Sequence, residues 1–492
     1  MLYIGIDLGT SSMKALLMDK RGSIISSASH EYPLEFPRPG WSQQNPDDWW
    51  SALRICIKQL LDGVDACQIA AIAVSGQMHG LVTLDKNDGI IRPAILWNDG
   101  RTQKQADEMN KYFGTEGLLR ETGNIAFAGF TAPKIVWMYE NERENFERID
   151  KIMLPKDYLV YRMTGRHVTD YSDASGMLLL DVKNRIWSKS MLDYCRIGED
   201  KLPRLCESFE CVGMLKPEAA SFLGLPETVR VAAGGADNAC SAIGTGTMGD
   251  GKCNISLGTS GTVFISSDSF RKPQNGSLHS FAHADGKYYL MGCILSAASG
   301  FGWWSKNILR AGSEADEQRE ITEDDLGSNR VFYLPYLMGE RSPHNNTFAR
   351  GAFIGLSMDT TRSQMSQAVM EGVAFAIRDC VEAARELGLD LRSSGVCGGG
   401  AKSPVWRRIL ANVLKIQLEA AEQEQGAGLG AGILAMVAAG EYGSPEAAFE
   451  AIGGKVSICG WDEETAKRYE ARYQTFKKLY PALKPTFPEM SF

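Results

Sequence analysis

The chain opens with strict alternation. Leu2, Ile4, Ile6 and Leu8 recur at every second position, which places four apolar side chains on one face of a strand. Gly9–Ser12 is a turn signal, Met13–Met18 reads as a returning strand, Asp19–Gly22 as a second turn and Ser23–Ala28 as a third strand. The pattern predicts a three-stranded meander. The period then changes. Asn45-Pro46 is a helix start, with Asn at the cap and Pro in the first turn. Trp50, Leu53, Ile57, Leu60 and Leu61 follow at helical spacing up to Gly63. Ile69–Ser75, rich in Ala, Ile and Val, reads as a buried strand, and the alternation of strand, helix and strand predicts an α/β layered fold.

The second half repeats the theme. Val229–Ala233 is a short strand ending in Gly234-Gly235, and Asp237–Ile243 looks like a helix start. Gly244–Gly251, with four glycines, is the expected boundary between domains covering 1–246 and 247–492. Two domains also suit the length, since single cores stop growing at roughly 250–300 residues. Asn254–Leu257, the turn Gly258–Gly261 and Thr262–Ser266 predict a hairpin. A long helix is expected over Ser363–Leu387, closed by Gly388, and another over Ser403–Leu414. A strand should end at Val396-Cys397, and Gly426–Gly432 should enter the last buried helix.

Composition narrows the function. At 44% hydrophobic and 23% charged the chain is globular in type, and a net charge of −8 speaks against nucleic-acid binding. No apolar run reaches the roughly 18 residues of a membrane span. The first strand begins at once, without a signal segment. Eleven cysteines without a C-x-x-C pair read as free, buried thiols of a reducing cytoplasm. His279 and His283 lie four apart, but Gly286 and the β-rich Lys287–Leu290 argue against a helix, so they read as ordinary polar positions near a strand.

The tetrapeptide Leu-Gly-Thr-Ser occurs as Leu8–Ser11 and as Leu257–Ser260, once in each half. Gly9-Thr10-Ser11 and Gly258-Thr259-Ser260 offer closely spaced backbone N–H groups and hydroxyls, which suit phosphate. Asp7 precedes the first turn, and a carboxylate beside phosphate calls for a cation such as Mg2+. The competing reading is an Asx-type turn. Ser256 stands in the equivalent place of the second hairpin. Asp237 reads as a helix N-cap, as a general base for an attacking hydroxyl, or as both, with Asn238 beside it for a second hydroxyl. Gln77 and His79, in Ser75–Gly80, and Trp97, Asp99 and Arg101, in Trp97–Arg101, are two polar clusters able to clamp a polyhydroxylated molecule or to be plain surface loops. Gly398–Ala401 suits close approach of a nucleoside to bare backbone, or tight helix–strand packing.

Two long spaced patterns then coincide with a known family. Gly129–Trp137 through Asn141, and Gly351–Leu356 followed by Gln364-Met365 and Ala368–Glu371, resemble the two signatures of the FGGY carbohydrate kinases, within the wider actin-like ATPases. The resemblance runs end to end. It implies two actin-like, ribonuclease H-like ATPase domains with a catalytic cleft between them. It further implies ATP and Mg2+ as cofactors, Asp237 as catalytic base, and Asp7 as the acid near the metal. Met78 and His79 would hold the sugar, Gly258–Gly261 the phosphates, and Gly399, Gly400, Ser403 and Trp303 the nucleoside. Glycerol-phosphorylating members carry Arg-Glu where this chain has Met78-His79. The stretches Ser75–Gly80, Trp97–Arg101, Leu154–Tyr158, Tyr333–Tyr336 and Gly339–His344 resemble members that phosphorylate the 5-hydroxyl of D-xylulose, with ribulose, gluconate or a polyol as the alternatives. Expected partners are the sugar and MgATP, with no nucleic acid or membrane, and with a homodimer left open. A chaperone or filament ATPase of the same superfamily, or a sugar-sensing regulator, is the rival class.

Overall fold

The computed structural model describes residues 1–421, 426–454 and 456–490. Among these, two seven-stranded sheets organise the chain. The first contains β1 (Leu2–Leu8), β2 (Ser12–Asp19), β3 (Ile24–Glu31), β4 (Ile69–Gly76), β5 (Cys211–Met214), β6 (Arg230–Ala232) and β7 (Gly235–Ala236). The second contains β8 (Cys253–Leu257), β9 (Gly261–Ser267), β10 (His279–Ala282), β11 (Tyr288–Ile294), β12 (Ser393–Cys397), β13 (Gln417–Ala421) and β14 (Val456–Cys459). The central order is β3-β2-β1-β4-β6 in one and β11-β9-β8-β12-β13 in the other. In both, the first two pairings are antiparallel and the next two parallel. The halves therefore share one topology, a mixed α/β layer built twice.

The predicted meander and the hairpin after the boundary are both present. The helix expected after Asn45 is α1 (Pro46–Leu60), where Asn45 accepts a hydrogen bond from Asp47 N at 3.2 Å. Its Trp49, Leu53, Ile57 and Leu60 are fully buried where the helix packs on β2 and β3, and each contributes about 1.5–3 kcal/mol by burial. Further helices are α2 (Thr131–Asn141), α3 (Pro155–Thr164), α4 (Asp237–Gly244), α5 (Arg362–Glu386), α6 (Pro404–Leu414), α7 (Gly426–Ala439) and α8 (Glu463–Leu483). The expected end of the chain needs correction: α7 is not the last buried helix, because α8 seats Tyr469, Tyr473 and Phe476 in the second core. Buried thiols are also not universal, since Cys67 and Cys211 are exposed.

Helix α7 does not stay with its neighbours in sequence. It follows β13 and precedes β14 of the second sheet, yet it packs on the first. A side-chain carbon on Gly5 of β1 would fall 2.1 Å from the Gly428 carbonyl oxygen. Tyr3 donates to Glu441 at 2.9 Å and Tyr442 to the Lys20 carbonyl at 2.7 Å, which ties the end of this segment to the first half. Helices α4 and α7 cross in backbone contact, and a carbon added to Gly430 would lie 1.8 Å from the Cys240 carbonyl oxygen. Below the crossing, a cavity of about 710 Å3 is lined from one side by Gly22–Ile24 and from the other by Asn254, Ser256 and Gly395.

Candidate functional site

Three strand ends place the two candidate carboxylates. β1 and β7 flank β4 on opposite sides, all parallel, with Asp7, Ser75 and Gly235 on one rung. Two strand spacings separate β1 from β7, roughly 10 Å of backbone. Gly234 makes this row possible. It adopts φ +76°, and a side-chain carbon there would sit 2.0 Å from the Val74 carbonyl oxygen. The chain kinks at that point, resumes beside β4, and delivers Asp237 at the carboxyl edge of the sheet, where open α/β folds take ligands.

Asp237 is the first residue of α4, and the cap is Ala236, so the N-cap reading of Asp237 is corrected. Its Oδ1 accepts from Asn238 N at 2.7 Å and from Asn238 Nδ2 at 3.1 Å. Burial, then the nearby Asp7 charge, push its carboxyl up to about 7. Burial raises Asp7 to about 6, against a small opposing effect of Lys14. No hydrogen bond engages the Asp7 carboxylate among the described residues, so the Asx-turn reading gains no support. A partly buried carboxylate whose oxygens take no hydrogen bond fits a divalent cation shared with phosphate oxygens.

His79 sits opposite. Its φ of +68° aims the ring back over Gly176, whose carbonyl oxygen lies 2.7 Å from Nδ1. A carbonyl only accepts, so Nδ1 carries the proton. Burial, with Lys134 next, lowers the ring's pKa to about 3. The neutral tautomer thus leaves Nε2 as an acceptor for a hydroxyl. The unusual backbone of His79 is held from below: Thr131 Oγ1 and Lys134 Nζ donate to its carbonyl oxygen at 3.0 and 2.8 Å. Met78 is buried beside it and its sulfur receives Asn238 Nδ2 at 3.8 Å, which joins this loop to the Asp237 helix.

Other predicted sugar contacts turn inward. Asp99 and Arg101 form a bidentate ion pair with both side chains fully buried. The guanidinium lies 3.9 Å from the Trp41 ring centroid, and Asp99 also receives Ser42 N at 2.5 Å. Gln77 accepts from Thr10 at 3.3 Å and donates to Gln44 at 3.1 Å. These residues brace the loops, although Arg101 Nη1 is buried without a hydrogen-bond partner. Trp97 remains 46% exposed and its Nε1 donates to Thr10 Oγ1 at 2.9 Å, next to the exposed Ser11.

In the second half, Gly258–Ser260 turns β8 into β9, with Thr259 exposed. Ala298 N and Ala297 N donate to the carbonyls of Gly258 and Thr259, which fixes this turn against the chain leading to Trp303. Gly399 faces open space, whereas Gly400 packs against Leu257 and Trp406. Ser403 caps α6 by accepting from Trp406 N at 3.1 Å and bonds Gln318, so its hydroxyl is engaged. Trp303 is partly buried against the second core.

Sequence reasoning missed the supports. Lys156, fully buried on α3, pairs with Asp157 at 2.6 Å and with Asp170 at 2.9 Å. Asp170 accepts from Ser172, whose Oγ receives the backbone N–H of Ala236 at 3.0 Å. That chain of contacts holds the residue just before Asp237. Lys156-Asp157 lies within the Leu154–Tyr158 stretch, but nothing local indicates a partner 14 positions on, at Asp170.

A family profile for the N-terminal domain of the FGGY family of carbohydrate kinases matches residues 2–244, and one for the C-terminal domain matches 253–439. The chain is 38% identical to a xylulose kinase of Escherichia coli (strain K12), over 98% of this chain and 99% of that protein. Among solved structures it is similar to a xyloylose kinase from Brucella ovis, with a TM-score of 0.93, 38% identity and coverage of 99% and 100%. A gluconate kinase from Lactobacillus acidophilus also superposes with a TM-score of 0.93, at 26% identity and coverage of 100% and 99%.

Proposed function

The chain belongs to the FGGY family of carbohydrate kinases, and from that premise we propose that it transfers the γ-phosphoryl group of ATP to the 5-hydroxyl of D-xylulose. The products are D-xylulose 5-phosphate and ADP. The observation that carries this reading is the position of Asp237 just past the carboxyl end of the first sheet, with Asn238 reaching the Met78 sulfur beside His79, whose Nδ1 is taken by the Gly176 carbonyl so that Nε2 is left to accept a hydroxyl.

Asp237 accepts the proton of the 5-hydroxyl as that oxygen bonds to the γ-phosphorus and the bond to the bridging oxygen of ADP breaks. A base near the working pH suits this transfer, because a substantial fraction is ionised while the proton is still bound firmly. His79 Nε2 and Asn238 hold other hydroxyls of the sugar, and Met78 packs against its carbon chain. The N–H groups of Gly9–Ser11 and Gly258–Ser260 stabilise charge on the phosphate oxygens. The nucleoside lies on the bare backbone at Gly399. Mg2+, held by Asp7 and the phosphates, would supply charge neutralisation. Consumption of ATP suits a cytoplasmic enzyme, and no helix of the described residues is long and apolar enough to cross a membrane.

The test is ADP release across D-xylulose, D-ribulose, gluconate, xylitol and glycerol. D-Xylulose should give the highest kcat/KM, by about tenfold or more, the scale set by one substrate-matched polar contact. Gluconate is the informative competitor, given the gluconate kinase that shares the fold. A higher value for gluconate would overturn the sugar assignment and leave the kinase.

A further inference from the structure

Arg341 is used by nothing described so far. Its backbone is fixed at the cleft end of the second sheet. Arg341 N and Leu295 N both donate to Glu340 Oε1, at 2.8 and 3.0 Å, and Ser342 N donates to the Cys293 carbonyl at 2.9 Å. Its side chain, however, reaches the first half. The guanidinium lies 5.0 Å from the Phe127 ring centroid, Phe127 meets Phe130 at 5.8 Å, and Phe130 meets the His79 ring at 4.6 Å. Its charge is felt at His79, where it helps to hold the ring neutral. Among the described residues the guanidinium forms no hydrogen bond and no ion pair. Five N–H donors fixed beside an aromatic wall and left without acceptors are suited to ligand oxygens.

Position decides which oxygens. Asp237 and Asp7 mark the 5-hydroxyl end of the sugar. Arg341 lies beyond His79, on the Phe130–Phe127 side, whereas the contact that joins the His79 loop to Asp237 runs through Met78 and Asn238. The end it faces is the ketol end.

We propose that Arg341 is a substrate-contacting residue that donates hydrogen bonds to O1 and the C2 carbonyl oxygen of the ketose, and so reads the ketone from the opposite side of the cleft. This rests on the reading that Asp237 and His79 bind the sugar. A ligand with an acceptor carbonyl at C2 gains from the contact, whereas the corresponding alditol, with a tetrahedral C2 hydroxyl, gains less.

The experiment compares wild type, Arg341→Met and Arg341→Lys with D-xylulose and with xylitol. Arg341→Met should raise KM for D-xylulose about ten- to a hundredfold and leave KM for ATP within about twofold. The ratio of kcat/KM for D-xylulose over xylitol should fall by a similar factor, because the alditol has less to lose. Arg341→Lys keeps the charge without the fork and should recover part of the ratio, and it decides the matter if the Met variant fails to fold. An unchanged D-xylulose KM, or equal losses on ketose and alditol, would overturn the contact while the kinase stands. Wild-type protein that releases no more ADP with D-xylulose than without sugar would overturn the function and the contact together.

Discussion

Asp237 carries two costs that a single substitution separates. In the folded protein its carboxyl titrates near 7 against an ordinary value of 3.8, so folding favours the protonated form. Ionising it therefore removes stability as pH rises from about 4 through about 7. Asp237→Asn should raise Tm at pH 8, with little change at pH 4, while kcat drops about a thousandfold and the KM for ATP stays within about threefold. Thermal melts at the two pH values check the first part and steady-state assays the second. A melt unchanged at pH 8 would show that the carboxylate is not buried at a cost. The wild-type rate should fall below pH about 7 as the base gains its proton. In Asp7→Asn the residual activity should keep its acid limb at lower pH, because Asp7 is what pushes Asp237 up after burial. The residue scale also explains which site positions were legible. Asp7, Asp237 and His79 stood at strand ends beside glycines, where polar groups have few other uses. Asp99, Arg101 and Gln77 looked alike in sequence, but polarity does not say whether the partner is a ligand or another side chain. Arg341 offered no local sign, since its meaning lies in Phe127, more than 200 positions earlier.

At the scale of elements, the crossing of α4 and α7 is the tightest point of the chain. Gly430 and Gly244 allow the backbones to touch, and each added carbon would strike a carbonyl oxygen, at 1.8 Å from Cys240 and 2.4 Å from Gly426. Gly430→Ala should lower Tm by about 2–6 °C, as expected of overpacking that costs about 1–3 kcal/mol. Gly443→Ala, which meets nothing within 4 Å, is the control and should stay within about 1 °C of wild type on the same scale. Equal melts would mean the helices separate more freely than their packing indicates. The glycine run in α7 was legible as a helix entry, but not as a contact with the other half. Period-2 alternation marks a strand and Asn-Pro marks a helix start, because both are local. Which sheet a helix covers is set by contacts between residues such as Gly5 and Gly428, and no local pattern encodes it. The same limit applied at the end of the chain, where the aromatic stripe of α8 was not read as core.

For the whole molecule, the two sheets are joined through α4 and α7, while a cavity of about 710 Å3 keeps Gly22–Ile24 apart from Asn254 and Ser256. The layers also meet where Asn124 donates to the Ser280 carbonyl and Phe281 packs on Phe130, and two layers joined at such contacts with a cavity between them can hinge. On the proposed assignment the ligands sit on different layers, sugar at His79 and Asp237 on the first and nucleoside at Gly399 on the second, with the phosphates between Gly9–Ser11 and Gly258–Ser260. Each ligand alone engages mainly one layer and gives little reason to close. Together they bridge the halves, and Arg341 adds a contact from the second layer to the sugar. Closure should therefore be cooperative: the radius of gyration, about 23 Å for a compact chain of this length, should shrink most when D-xylulose and a non-hydrolysable ATP analogue are present together. Small-angle scattering on the four ligand states measures this directly. A full decrease with the nucleotide analogue alone would place the closing contacts on the phosphate turns and remove the sugar from the switch. The same coupling bears on wasted turnover. Without sugar the open cleft admits water to the γ-phosphate, and slow ATP hydrolysis should appear. A sugar analogue lacking the 5-hydroxyl should then close the halves around a trapped water and raise that hydrolysis, since the base and phosphates are aligned but the acceptor is missing.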